Sequence, residues 1–105
     1  MMRVFKEPVE FEWNKGNIDK NKKHDVENRE AEEVFQDENK YTFKDRVHSK
    51  NEERFRIVGK TKNGRLLFIV FTKRDKKIRI ISARDINKKE VSIYEKKISI
   101  AKVQK

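Results

Sequence analysis

Leu66-Leu67-Phe68-Ile69-Val70-Phe71 is an unbroken apolar run in a chain that is 44% charged and only 34% hydrophobic. A chain too polar to fold would not gather its hydrophobic residues in this way. An apolar residue at every position leaves no face for water, so the run predicts a central strand covered on both sides. Just before it stands Asn63-Gly64, the strongest hairpin signal in the chain. A tight type I′ turn needs positive φ at both central positions, and Asn-Gly supplies them. The strand entering that turn is Arg54 to Gly59, where Phe55, Ile57 and Gly59 alternate with Arg54, Arg56 and Val58. After the run, Lys73-Arg74-Asp75-Lys76 reads as a turn into a further strand, Ile78 to Ala83.

Working outward, Tyr41-Thr42-Phe43 is short and β-prone. Val9, Phe11 and Trp13 alternate as one face of a first strand, with Pro8 at its start. Asn14 then suits a helix N-cap, and Trp13 and Ile18 have the spacing of a hydrophobic staple, which predicts a short helix from about Lys15 to Lys23. A second helix is expected with Asn28 as its cap. Glu30, Glu32 and Glu33 suit its positive end, and Ala31, Val34 and Phe35 share its apolar face. Asn87 and Glu90 have capping-box spacing, and Ile86 and Val91 staple spacing, so a last helix starts there. Val91, Tyr94, Ile98 and Ala101 continue one face, with the tail from about residue 96 either frayed or waiting for a partner. The expected order is β-α-α-β-β-β-β-α: an α+β fold, a mainly antiparallel twisted sheet packed by helices, in one domain spanning 1–105.

The 28 Lys+Arg against 18 Asp+Glu leave a net charge of +10. Such a field draws in polyanions: nucleic acid, an anionic membrane or an acidic protein. Its plainest use is solubility. There is no cysteine, which excludes disulfides, thiolate metal sites and cysteine nucleophiles. The start Met1-Met2-Arg3-Val4-Phe5 does not continue into a signal peptide, and no apolar run is long enough to span a bilayer. A cytoplasmic protein without a membrane partner is expected.

Most enzyme chemistries find no footing. The only histidines, His24 and His48, lie on different predicted elements, and the acidic residues are interleaved with lysine, so neither a metal site nor a cofactor is expected. Ser49, Ser82, Ser92 and Ser99 lack a nucleophile elbow, and Gly16, Gly59 and Gly64 are isolated rather than part of a phosphate loop. Arginine is more telling. Arg46, Arg54, Arg56, Arg65, Arg74, Arg79 and Arg84 gather in the strand region. A guanidinium grips phosphate as a fork and keeps its charge, so it can stabilise a phosphorane-like transition state. The competing reading makes these arginines edge-strand guards or surface ion pairs. Asp45-Arg46-Val47-His48-Ser49 forms a polar loop before the arginine-bearing strands. There His48 suits an acid or base near neutral pH, with Glu52 and Glu53 orienting it or pairing with Arg54.

These residues resemble a known family. Phe11-Glu12-Trp13, Lys23-His24 with Val26, Glu30-Ala31 and Val34-Phe35 are similar to the BrnT toxins. So are His48-Ser49 with Glu52-Glu53-Arg54, Gly59, Gly64-Arg65, and Arg79-Ile80-Ile81-Ser82-Ala83-Arg84 with Glu90 and Tyr94. The resemblance runs from about Phe11 to Glu95. It departs at Asn14, where the family usually has Asp, at Asp25 in place of Gly, and at Val91 in place of Arg. If that Arg contributes to the active site, this chain is weaker or relies on Arg84 and Arg79; if it only meets the antitoxin, nothing catalytic is lost.

The resemblance implies a RelE-like fold and an endoribonuclease toxin of a type II toxin–antitoxin pair that inhibits translation. It implies a ribbon-helix-helix antitoxin of the BrnA kind, a 2:2 heterotetramer with it, and contact with operator DNA only through that antitoxin. The chemistry expected is metal-independent attack of the RNA 2′-hydroxyl, on free or ribosome-bound mRNA. Arg65 and Arg84 are placed on the phosphate, Arg54 or Arg79 assist, and His48 or Tyr94 move protons. Arg56, Lys60 and Lys62 join Arg79 in holding RNA. Strict alternation puts Arg79 and Arg84 on opposite faces of their strand, so both reach one site only if the strand ends or bulges before Arg84. The rival is a non-catalytic basic RNA-binding module that stacks bases on Phe55, Phe68, Phe71 or Tyr94, the first three of which suit a core better. A third reading is an adaptor for an acidic protein.

Overall fold

The computed structural model describes residues 10–14, 17, 24–45 and 52–103, with side chains as far as 96. The expected helix over 15–23, apart from Asn17, and the loop carrying Arg46 and His48 lie outside the described residues. The order found is β1 (Glu10–Phe11), α1 (Asn28–Val34), β2 (Tyr41–Asp45), β3 (Arg54–Lys60), β4 (Leu66–Arg74), β5 (Lys77–Asp85) and α2 (Lys88–Val103). The strands form one sheet in the order β1-β5-β4-β3-β2. β2 to β5 are antiparallel neighbours, and β1 joins the edge of β5 in parallel. This is an α+β fold with a mostly antiparallel sheet, as the pattern predicts, and β4 sits in its centre. No helix among the described residues is long and apolar enough to cross a membrane.

The face of the sheet that meets α1 holds the main core. Ile57, Leu67, Ile69, Phe71, Ile78, Ile80 and Ala83 are buried there against Ala31, Val34 and Phe35 of the helix side. Phe35 makes edge-on ring contacts with Phe11 at 5.2 Å and Phe71 at 5.0 Å, and Phe55 stacks on Phe71 at 5.5 Å. Each large side chain buried in this way contributes about 1.5–3 kcal/mol. Phe55 and Phe71 are therefore core, not base platforms. Gly59 lets the end of α1 lie on β3, because a Cβ there would meet Val34 Cγ1 at 2.7 Å. Asn17 is buried and straps β1 to β5, donating to the carbonyls of Glu12 at 2.9 Å and Ile80 at 3.0 Å.

The opposite face carries a smaller cluster of Val58, Phe68 and Tyr94, with Phe43, Leu66, Val70 and Ile86 partly buried around it. Full cover of β4 on both sides is thus not found: Leu66 and Val70 are only half-buried. Three local expectations also change. The β3–β4 turn is not a two-residue type I′ turn, because Gly64 (φ 89) has positive φ and Asn63 does not. Gly64 N donates to Thr61 O at 3.0 Å and Thr61 N to Arg65 O at 2.8 Å, a three-residue loop with glycine in the left-handed position. α1 is capped by Glu27, whose amide donates to Glu30 at 3.0 Å, and Asn28 is already helical. The register of β4 on β5 slips by one between Val70, opposite Ser82, and Phe71, opposite Ile80, so Ile81 is an extra bulged residue. At α2 the expected box is present: Glu90 N donates to Asn87 Oδ1 and Asn87 N to Glu90 Oε1, both at 2.9 Å.

Candidate functional site

The strand registers place residues in rows across the face opposite α1. One row is Tyr41, Val58, Phe68 and Arg84; the next is Phe43, Arg56, Val70 and Ser82; the third is Asp45, Arg54, Thr72 and Arg79. Side chains two apart on a strand share a face, so Arg54, Arg56, Arg79 and Arg84 all belong to this surface. Arg79 is there only because of the bulge at Ile81, which cancels the odd spacing between it and Arg84.

Arg84 and Arg56 flank one ring. The Arg84 guanidinium carbon lies 4.3 Å from the Phe68 centroid and that of Arg56 5.6 Å, within reach of a cation–π attraction. Arg84 Nη1 and Nη2 donate to Glu90 Oε1 and Oε2 at 2.9 and 2.8 Å, and Nη1 donates again to Asp85 O at 3.0 Å. Its side chain stays 36% exposed. Arg56 Nε donates to Asp45 Oδ2 at 3.1 Å, and Asp45 is buried. Burial alone would raise the Glu90 carboxyl. The hydrogen bonds from Arg84 and the Asn87 amide, with the charges of Arg84 and Arg56, outweigh it and hold that carboxyl below its ordinary pKa. The result is two oriented guanidinium groups on an aromatic floor, each backed by a carboxylate. Such a pair can bind a phosphodiester and stabilise charge gathering on it.

The other expected site residues fall elsewhere. Arg65 is on the α1 side of the sheet. It donates to Asp85 through Nε at 2.7 Å and Nη2 at 3.0 Å, and through Nη1 to Asp25 O at 2.8 Å and Glu30 Oε1 at 3.2 Å. The sharing of one phosphate by Arg65 and Arg84 is not what the structure places together. The hydrogen bond to Asp85 leads the interactions that raise the Arg65 pKa further. Tyr94 is 2% exposed and its hydroxyl donates to Asp37 Oδ2. Burial, then that bond to a carboxylate, pushes the phenol above its ordinary range, so it holds its proton rather than passing it on. Arg79 is bound to Glu12 at 3.1 Å and Asn17 at 3.4 Å, while Arg74 meets Glu52 at 3.0 Å. Glu53 pairs with Lys44 at 3.6 Å. Arg54 is half-buried in the third row, and Lys60 and Lys62 are exposed at the hairpin end. Among the described residues no three His, Cys, Asp or Glu side chains gather as metal ligands.

Sequence reasoning missed Phe68 as a floor and Glu90 and Asp45 as partners of the two arginines. The capping-box spacing marked Glu90, but nothing local shows that its carboxylate turns back onto the preceding strand.

A family model described as "Ribonuclease toxin, BrnT, of type II toxin-antitoxin system" matches residues 13–90, more than half of the chain. The chain belongs to the BrnT family. The match spans β2 to β5 and ends on Glu90, so Arg56, Phe68, Arg84 and Glu90 all lie within it. Membership makes this a ribonuclease toxin family protein, and a type II system includes an antitoxin partner. A comparison with curated proteins found no match.

Proposed function

We propose that this BrnT protein is a metal-independent endoribonuclease whose scissile phosphate lies over Phe68, between Arg84 and Arg56. The observation that carries the reading is the pair of guanidinium groups at 4.3 and 5.6 Å from one ring on a partly open sheet face. The 2′-hydroxyl of the RNA is the nucleophile, and the products are a 2′,3′-cyclic phosphate and a free 5′-hydroxyl. Arg84 and Arg56 orient the phosphate and neutralise its growing charge. Arg54, one row away, and Lys60 extend the cationic track along the strand. The net charge of +10 supports loose attraction of the polyanion, and the two arginines supply the geometry. The antitoxin in this reading is a ribbon-helix-helix dimer that covers the same face in a 2:2 assembly, and cleavage of mRNA by the free toxin halts translation.

The test is cleavage of a defined RNA by purified protein in EDTA, with the ends of the products identified. Arg84→Ala lowers the rate about 100- to 1,000-fold, the usual effect of removing one donor from a developing anion. Inhibition by EDTA overturns the metal-free chemistry. RNA binding without cleavage points instead to a binding module, and its affinity should then fall steeply with salt.

A further inference from the structure

We infer that Glu90 is the proton acceptor for the 2′-hydroxyl, an inference that rests on the ribonuclease reading above. A guanidinium has five N–H groups in a fixed plane. Nη1 spends its two on Glu90 Oε1 and Asp85 O, and Nη2 spends one on Glu90 Oε2. The Nε–H and the second Nη2–H form the side edge of the fork, and they have no partner among the described residues. A phosphate fits that edge with two parallel hydrogen bonds. Carboxylate and phosphate then occupy adjacent edges of one planar cation and share Nη2. The ribose next to that phosphate brings its 2′-hydroxyl to the Glu90 carboxylate.

The surroundings of Glu90 suit this task. Its side chain is 14% exposed, so it is largely shielded from water without being sealed off. Burial would raise its pKa, but the hydrogen bonds from Arg84 and the Asn87 amide, with the charges of Arg84 and Arg56, hold it below its ordinary value, so it stands there as a carboxylate. Its place as the third residue of α2, held by the reciprocal bonds with Asn87, fixes its direction. Among the described residues the alternative proton carriers are worse placed: the Tyr94 hydroxyl is buried on Asp37, and Asp45 is buried beneath Arg56.

The Glu90 carboxylate takes the 2′-hydroxyl proton as the 2′-oxygen bonds to phosphorus. The bond from phosphorus to the 5′-oxygen breaks, its electron pair stays on that oxygen, and water protonates it. Protonated Glu90 then gives its proton to the hydroxide so formed.

Glu90→Gln tests this, because glutamine keeps the capping box and the size of the side chain but cannot take the proton. Single-turnover cleavage should fall about 100-fold or more. Affinity for a 2′-deoxy-substituted RNA that cannot be cut should be unchanged or tighter, and the acid limb of the pH–rate profile should disappear. Glu90→Asp, which retains a carboxylate, should cleave faster than Glu90→Gln. Wild-type-like cleavage by Glu90→Gln overturns the inference while the ribonuclease reading stands. Parallel loss of RNA affinity and rate overturns it too, because Glu90 then only positions Arg84. Absence of cleavage by the wild-type protein overturns both readings.

Discussion

Arg65 and Arg84 lie on opposite faces of the sheet although both flank the same end of the β4–β5 pair. The adjacent residues Arg84 and Asp85 explain it. Arg84 points to Phe68 and Glu90, and Asp85, next along the strand, points the other way and receives Arg65 at 2.7 Å. One arginine faces the partly open surface; the other ties β4, β5 and the start of α1 together.

Arg65→Ala should therefore act on stability. It leaves Asp85, Glu30 and two backbone carbonyls without their donor, at a cost of about 2 kcal/mol. Urea unfolding measures this. A fall in cleavage rate at unchanged stability would return Arg65 to the phosphate.

Acid should weaken the fold in a defined way. Asp85 is held below its ordinary pKa first by the hydrogen bond from Arg65, and Glu90 is also held below its own. A depressed carboxyl contributes fully above its unfolded pKa of about 4 and loses its contribution as pH falls through the folded value. Urea midpoints should be flat above about pH 5 and drop below about pH 4. Arg65→Ala should make that drop shallower, because the Asp85 share is already gone.

Phe68→Leu keeps a branched apolar side chain, three carbons smaller, and removes the aromatic floor. The stability cost should be about 1–3 kcal/mol for the lost carbons and the space they leave. Single-turnover cleavage should fall about tenfold or more, since Arg84 loses the ring that fixes its plane. Equal rates for the two proteins would show that Glu90 and the Asp85 carbonyl hold Arg84 without the ring.

Tyr94→Phe removes the hydrogen bond to Asp37 from a residue that is 2% exposed. The expected loss is about 1–2 kcal/mol in unfolding free energy. A phenolic proton carrier would instead show a lost rate with the melting temperature preserved.

Gly59→Ala should cost about 1–3 kcal/mol by overpacking, because the added Cβ meets Val34 Cγ1 at 2.7 Å and Val34 O at 3.2 Å. Thermal unfolding measures it. The shift should shrink when Val34 is replaced by Ala in the same chain, as expected for two groups in direct contact.

Much of the fold was legible because its signals are local. Alternation marked β3, an unbroken apolar run marked β4, and the Asn87–Glu90 spacing marked the start of α2. The misreadings at Asn63-Gly64 and Asn28 were also local. In each the residue type suited the device, but a neighbour, Gly64 with its one positive φ or Glu27 at the cap, was used instead. Arg84 and Arg56 were legible as guanidinium groups in strands. Which of the seven strand-region arginines share a surface was not, because that depends on strand pairing and on a one-residue slip.

The sequence by itself determined the order of the elements among the described residues, the central place of Leu66 to Phe71 and the BrnT resemblance, because these depend on residue types at short spacings. Tertiary structure alone decided which residues make up the candidate site. The bulge at Ile81 sets Arg79 on the face of Arg84, Asp85 takes Arg65 to the other face, and the corner between β5 and α2 turns Glu90 back onto Arg84. Each outcome is a matter of which side of a pleated sheet a side chain leaves from, and a shift of one residue reverses it.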